Sequence, residues 1–225
     1  MSLILQIETA TTNCSVSLSS EGETLVFKED YSSKYSHAER LHLYIEEVLN
    51  EARINRNELQ AVAVSKGPGS YTGLRIGVSA AKGLCYALDI PLIAIPTLQS
   101  LAKEVSAKTD HIISVIDARR MEVYSAVYNT DCVEIRETRA EIIDEQSFKY
   151  HLDKGVTYFI GDGVKKVAEV IKHPNANFIT DKLPSAKTMS PLAFIKFQKN
   201  QFEDVAYFEP YYLKDFIALK PKPKI

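Results

Sequence analysis

The sequence predicts an α/β protein of two similar subdomains, and three observations carry that prediction. The stretch LILQIETATTNCSVSLSS is an apolar strand ending at Glu8, a small polar turn and an alternating strand. HIISVIDARRMEVYSAVYN repeats the plan with Asp117 in the place of Glu8, about 110 residues further on. Between them, VSKGPGSYTGLRIGVSAAKGL leads from an apolar strand through a Gly-Pro-Gly turn into a helical pattern.

The elements follow in order. After the second strand, Glu21–Gly22 turns the chain into a third strand, ETLVFKED. Ser36 and Glu39 then have capping-box spacing, which opens a helix over 36–53. Its core-facing stripe is Ala38, Leu41, Ile45, Val48 and Ala52, and Leu43, Tyr44 and Leu49 extend the apolar surface beyond it. Ala61–Ser65 reads as a buried strand. Ser70 is a good N-cap for a second helix running to about Leu88. That helix has an apolar stripe through Leu74, Val78, Ala81, Cys85 and Leu88, a small-residue stripe beside it, and one narrow polar stripe through Arg75, Ser79, Lys82 and Tyr86. So little polar surface predicts burial on more than one side. Gly73, Gly77 and Gly83 each cost about 1 kcal/mol inside a helix, and close approach of another backbone would offset that. The approaching backbone is either this chain's own sheet or a second chain.

The first subdomain is assigned to residues 1–100, the second to 101–217, and a Lys/Pro tail to 218–225. In the second, VTYFIGDGVKKVAEVI reads as strand, turn and helix, and SPLAFIKFQKN as a further helix. YFEPYYLKDF is aromatic-rich and expected to pack down. LKPKPKI should be an extended tail, either solubilising or touching RNA phosphates.

Composition narrows the function classes. The 225 residues carry 27 basic and 29 acidic side chains, net charge −2, so no global basic field exists to hold nucleic acid. Cys14, Cys85 and Cys132 form neither a disulfide framework nor a zinc pattern, which fits a reducing cytoplasm. MSLILQIET lacks a basic region and meets Glu8 early, so no secretory leader is expected. The glycine-rich turn misses the spacings of both the P-loop and the dinucleotide fingerprint. It serves either as a general anion cradle or as a tight turn. His37 and His42 lie about 140° apart around a helix and cannot share a metal; His37 reads as polar surface or interface. No catalytic residue and no metal ligand is assigned. Glu8 and Asp117 read as paired acids for magnesium or as hairpin-end acids bonded to backbone, the latter favoured because no further ligand is apparent.

ILQIETATTNCSVSL, VSKGPGSYTGLRIGVSAAKGL, IDARRMEVYSAVY and EPYYLKDF together resemble the TsaB (YeaZ) family over almost the whole chain. The resemblance implies the actin-like ATPase fold, with two ribonuclease H-like subdomains of mixed sheets flanked by helices. It implies a noncatalytic partner of TsaD, acting with TsaE in threonylcarbamoyl transfer to the adenosine beside the anticodon of ANN-decoding tRNAs, so that tRNA is engaged indirectly. It places partner contacts on the two helices of the first subdomain. On the first helix these are His37, Arg40, Leu41, Tyr44, Ile45 and Val48; on the second, Tyr71, Leu74, Arg75, Val78 and Ala81. The same surface would form a homodimer when TsaD is absent. No cofactor is required. The fold leaves room for weak ATP or ADP binding near the subunit interface, at Glu8, Thr11, Gly67, Gly69 and Ser70. The competing reading is a stand-alone enzyme on this fold, a small-molecule phosphotransferase or a peptidase. Two departures stand out: Tyr71 where the family often has Phe, and Glu8 where relatives commonly have Asp.

Overall fold

Two five-stranded mixed sheets organise the chain. The computed structural model describes residues 2–30 and 37–214. The Ser36 half of the expected capping box, residues 215–217 and the tail 218–225 lie outside them. The first sheet comprises β1 (Leu3–Glu8), β2 (Cys14–Ser20), β3 (Glu23–Asp30), β4 (Ala61–Gly67) and β5 (Leu92–Pro96), in the order β3-β2-β1-β4-β5. The second comprises β6 (His111–Asp117), β7 (Glu122–Tyr128), β8 (Glu134–Ile142), β9 (Thr157–Ile160) and β10 (Ala176–Ile179), in the order β10-β9-β6-β7-β8. In each, an antiparallel three-strand meander continues into two parallel strands. The two sheets are the same plan used twice, as the sequence echo suggests.

Sequence pattern explains the layering. β1 reads LILQIE and is buried throughout, the signature of a central strand covered on both faces. β3 alternates exposed and half-buried residues, as an edge strand does. One face of the first sheet is covered by α1 (His37–Ala52) and α2 (Tyr71–Leu88), with Leu5, Ile7, Val16, Val62 and Val64 beneath them. The second sheet buries Ile113, Val115 and Phe159 under α4 (Lys149–Leu152) and α5 (Val164–Val170).

The remaining two helices cross over. α3 (Thr97–Ala102) follows β5 but packs Leu98 and Leu101 on Ile112 and Ile116 of the second sheet. α6 (Ala186–Gln198) follows β10 but returns to the first sheet, where Met189, Leu192 and Ala193 cover Ile4, Ala63 and Ile95. They meet midway, Ser100 Oγ lying 2.9 Å from Thr188 Oγ1. After α6 the chain runs on as a strap. Glu203 bridges Leu92, Val205 and Phe208 join the first core, and Lys82 Nζ donates to the carbonyls of Ala206 and Phe208 at 3.1 and 3.0 Å. Residues 186–211 therefore pack with the first sheet, while Lys214 reaches Glu122 of the second. Among the described residues, no helix of the first hundred covers the apolar far face of the first sheet.

Candidate functional site

α2 starts where Ser70 Oγ accepts the Gly73 N–H at 3.3 Å, and it stops at Asp89, which takes the left-handed conformation. Its glycines divide by environment. A Cβ on Gly73 would lie 2.1 Å from the Thr9 carbonyl oxygen, and one on Gly77 2.2 Å from Thr9 Oγ1. Thr9 Oγ1 also donates to the Gly73 carbonyl at 2.8 Å. These two glycines admit the end of β1, so the close approach is made by this chain's own sheet. A Cβ on Gly83 meets nothing within 4 Å.

The expected contact residues divide in the same way. Leu41, Ile45, Val48, Val78 and Ala81 are buried in the first core, and Leu74 is buried beside Gly67. The apolar stripes of both helices point at the sheet, because burial of a continuous stripe against β-branched strands is the larger apolar gain. His37 is buried too, its Nε2 2.7 Å from the Thr11 carbonyl, and burial lowers its pKa. It is not polar surface. Arg40 is exposed and pairs with Asp30 at 3.0 Å, and Tyr44 lies within 3.3 Å of its guanidinium. Arg75 lies over the Tyr71 ring and donates to Tyr212 Oη at 3.3 Å, so both Tyr71 and Arg75 face the strap.

The surface left open between the helices is a groove of about 620 Å³. Ala38, His42 and Ile45 line it from α1, and Arg75, Ile76, Ala80, Gly83 and Leu84 from α2, so that Ile45 and Arg75 of the expected contact residues reach it. Ala80 and Leu84 belong to the small-residue stripe visible in the sequence. Gly83 was marked in the sequence together with Gly73 and Gly77 as a costly helix-interior glycine, but no close approach offsets it here.

A second concavity, about 490 Å³, lies between the two sheets. Thr11, Gly69 and Ser70 line one wall; Asp117, Arg119, Arg120, Tyr124 and Asp162 line the other; Tyr211–Lys214 of the strap stand at the mouth. Asp162 Oδ1 accepts the Asp117 N–H at 2.8 Å, and burial raises its pKa. Asp117 Oδ1 accepts from the Arg119 N–H at 2.6 Å and from Lys166 Nζ at 2.7 Å. Of the expected nucleotide residues, Thr11, Gly69 and Ser70 reach this cleft and the other two do not. Gly67 lies under the strap, where a Cβ would be 2.7 Å from the Tyr211 carbonyl. Glu8 is fully buried: its Oε1 accepts from the Ala10 N–H at 2.6 Å and Ser65 Oγ at 2.8 Å, and burial pushes it up to about 7. Glu8 and Asp117 therefore do not form one acid pair. Among the described residues no group of three or more His, Cys, Asp or Glu is placed to hold a metal, and no helix is long and apolar enough to cross a membrane. Neither Arg119 nor Arg120 was marked by sequence, since exposed arginines in a hairpin turn carry no periodic signal.

With this geometry in view, similarity to known proteins is informative. A family model described as TsaD, tRNA N6-adenosine threonylcarbamoyltransferase, matches residues 31–223. The tRNA threonylcarbamoyladenosine biosynthesis protein TsaB of Escherichia coli (strain K12) is 31% identical, over 98% of this chain and 98% of its own. The solved structure of YeaZ from Pseudomonas aeruginosa matches with a TM-score of 0.82 at 27% identity, covering 95% of this chain and 100% of that one. An activator of 2-hydroxyisocaproyl-CoA dehydratase from Clostridium difficile, 12% identical, matches with a TM-score of 0.50 over 89% of this chain and 96% of its own, a likeness of fold alone. The fold is that of the actin-like ATPases.

Proposed function

The chain belongs to the TsaB family of tRNA threonylcarbamoyladenosine biosynthesis proteins, and from that membership we propose that it is a noncatalytic scaffold that holds TsaD through the groove between α1 and α2. The observation that carries this reading is the groove itself. Ala38, Ile76, Ala80 and Leu84 present apolar surface there after both helices have already covered their own sheet. Gly83 leaves room for a partner backbone. A shallow apolar groove edged by His42 and Glu46 has the anatomy of a helix-docking interface. TsaE joins the assembly thus formed, and the chain itself performs no chemical step.

The test is reconstitution with TsaD, TsaE, the adenylate-forming enzyme and tRNA, with modified adenosine quantified by mass spectrometry. Modification should require this chain, and the chain alone should turn nothing over. Ala80→Glu and Gly83→Arg should each weaken TsaD binding by at least about tenfold while the fold persists. Modification that proceeds equally well without the chain, or wild-type TsaD affinity in both variants, would refute the reading.

A further inference from the structure

The cleft between the sheets has no part in that docking, yet its mouth carries two exposed cations, Arg119 and Arg120. β6 and β7 are joined by a tight turn in which Arg119 and Arg120 both adopt the left-handed conformation, with φ 71° and 54°. Turns of this kind favour Asn and Gly; this one holds two long cationic side chains out in solvent. The neighbouring lysines are engaged, Lys166 with Asp117 and Lys214 with Glu122. Among the described residues neither arginine joins an ion pair. Their wall also bears Tyr124, half-buried at the edge of the cleft.

Aromatic surface stands at the same mouth. Tyr211 is 46% exposed, and Tyr71 and Tyr212 pack as a tilted pair with ring centroids 4.7 Å apart. The floor is acidic, through Asp117 and Asp162. An acidic floor keeps phosphate at the rim and leaves the interior to a base edge that carries donors. Cations on the backbone and rings against the bases are how single-stranded nucleic acid is gripped. Duplex recognition, by contrast, reads shape across grooves and offers nothing to a cleft of about 490 Å³.

We infer that the cleft mouth is an RNA-contact site, in which Arg119 and Arg120 bind phosphates of a single-stranded segment while Tyr211 stacks on a base. The inference rests on the tRNA-modification reading, which supplies RNA as the partner. A free mononucleotide carries the same chemistry in one unit, and the test separates the two sources.

Fluorescence anisotropy of a labelled anticodon stem-loop is measured against the chain complexed with TsaD, at several salt concentrations. Arg119→Ala/Arg120→Ala should weaken binding by about tenfold or more and lower the salt slope by about 1.4, the loss of two single-strand phosphate contacts. Tyr211→Leu should weaken binding with the slope unchanged. Gel filtration with TsaD and circular dichroism confirm pairing and fold for each variant. Unchanged affinity and slope in a folded double-arginine variant would overturn the inference. So would complete displacement of the RNA by micromolar AMP or ATP, which would assign the cleft to a free nucleotide. If modification needs the chain but tolerates the arginine variant with wild-type RNA affinity, this inference alone fails. If modification needs no chain at all, the reading beneath it fails.

Discussion

The meander with two added parallel strands occurs twice, as β3-β2-β1-β4-β5 and as β8-β7-β6-β9-β10, yet the fourth strand leads to unlike helices. In the first half, Gly67 with φ 110° ends β4, and the 18-residue α2 follows. In the second, Gly161 with φ 124° follows β9, and α5 has only 7 residues. The acids that end the first strands diverge too. Glu8 is sealed beneath the turn, whereas Asp117 stands half-exposed in the cleft, held by Lys166. One plan thus supplies a long helix pressed onto its strand, with an open groove on its outer side. The other supplies a short helix and a charged cleft wall. The first half leaves an apolar groove open, the second a polar wall.

The largest expected effect tests the close approach in the first half. In Gly73→Ala the new methyl would meet the Thr9 carbonyl, a backbone atom that cannot turn aside. We expect a loss of about 3 kcal/mol or more, or roughly 6–12 °C in Tm for a chain of this size. Gly163→Ala, at the start of α5, meets the Val123 side chain at 3.2 Å and the Val115 backbone at 3.3 Å, against 2.1 Å for Gly73, and should lose less. Similar thermal losses in the two variants would remove the contrast between the halves.

Titration should separate them next, with opposite signs. Burial holds Glu8 at about 7, above the usual carboxylate value, so its contribution is fully present below pH 4.5 and lost as pH rises through 7. That loss is about 3 kcal/mol. Glu8→Gln should therefore stabilise the protein at pH 8 and gain nothing at pH 4.5, as read by denaturant unfolding. In the second half, His151 packs edge-on to His111 with ring centroids 5.0 Å apart. Burial, then the charges of His111, Arg136 and Lys154, push it down to about 4. Its contribution is present above pH 6.5 and lost as pH falls towards 4, about 2 kcal/mol in all. His151→Phe should gain stability at pH 4.5 and not at pH 8. Asp162 is raised by burial and adds in the Glu8 direction, so only the single variants isolate each term. A Glu8→Gln protein with the wild-type pH profile would show that the buried carboxyl is not the source.

What the sequence revealed, and what it hid, follows the same division. Strands, hairpins and both long helices were legible because LILQIE, the Gly-Pro-Gly turn and the stripe through Leu74 and Val78 each carry a local physical signature. The split between buried and open faces of the two helices was hidden because periodicity shows that a helix has an apolar stripe and not which body covers it. Leu41 and Val78 turned out to serve the sheet, and the open groove lies one step around each helix. The return of α6 was hidden because its apolar residues fit either sheet equally well. Glu8 and Asp117 look alike in the sequence, and only the turn built over one of them makes their chemistry differ. Arg119 and Arg120 were invisible for the opposite reason: nothing local requires them.

The smallest expected effect returns to α2 itself, at its third glycine. Gly83 is exposed, and a Cβ there meets nothing within 4 Å. Alanine should restrict the unfolded chain and improve helix propensity without any native clash. The expected gain is about 0.5–1 kcal/mol, roughly 1–4 °C in Tm. The same methyl enters the groove floor, so TsaD binding should weaken slightly while the isolated chain becomes more stable. Stability and affinity moving in opposite directions would separate a glycine kept for a partner from the glycines kept for Thr9. If Gly83→Ala instead lowered Tm, as Gly73→Ala should, the helix would be closed on that side as well, and the groove would lose its claim to be the docking surface.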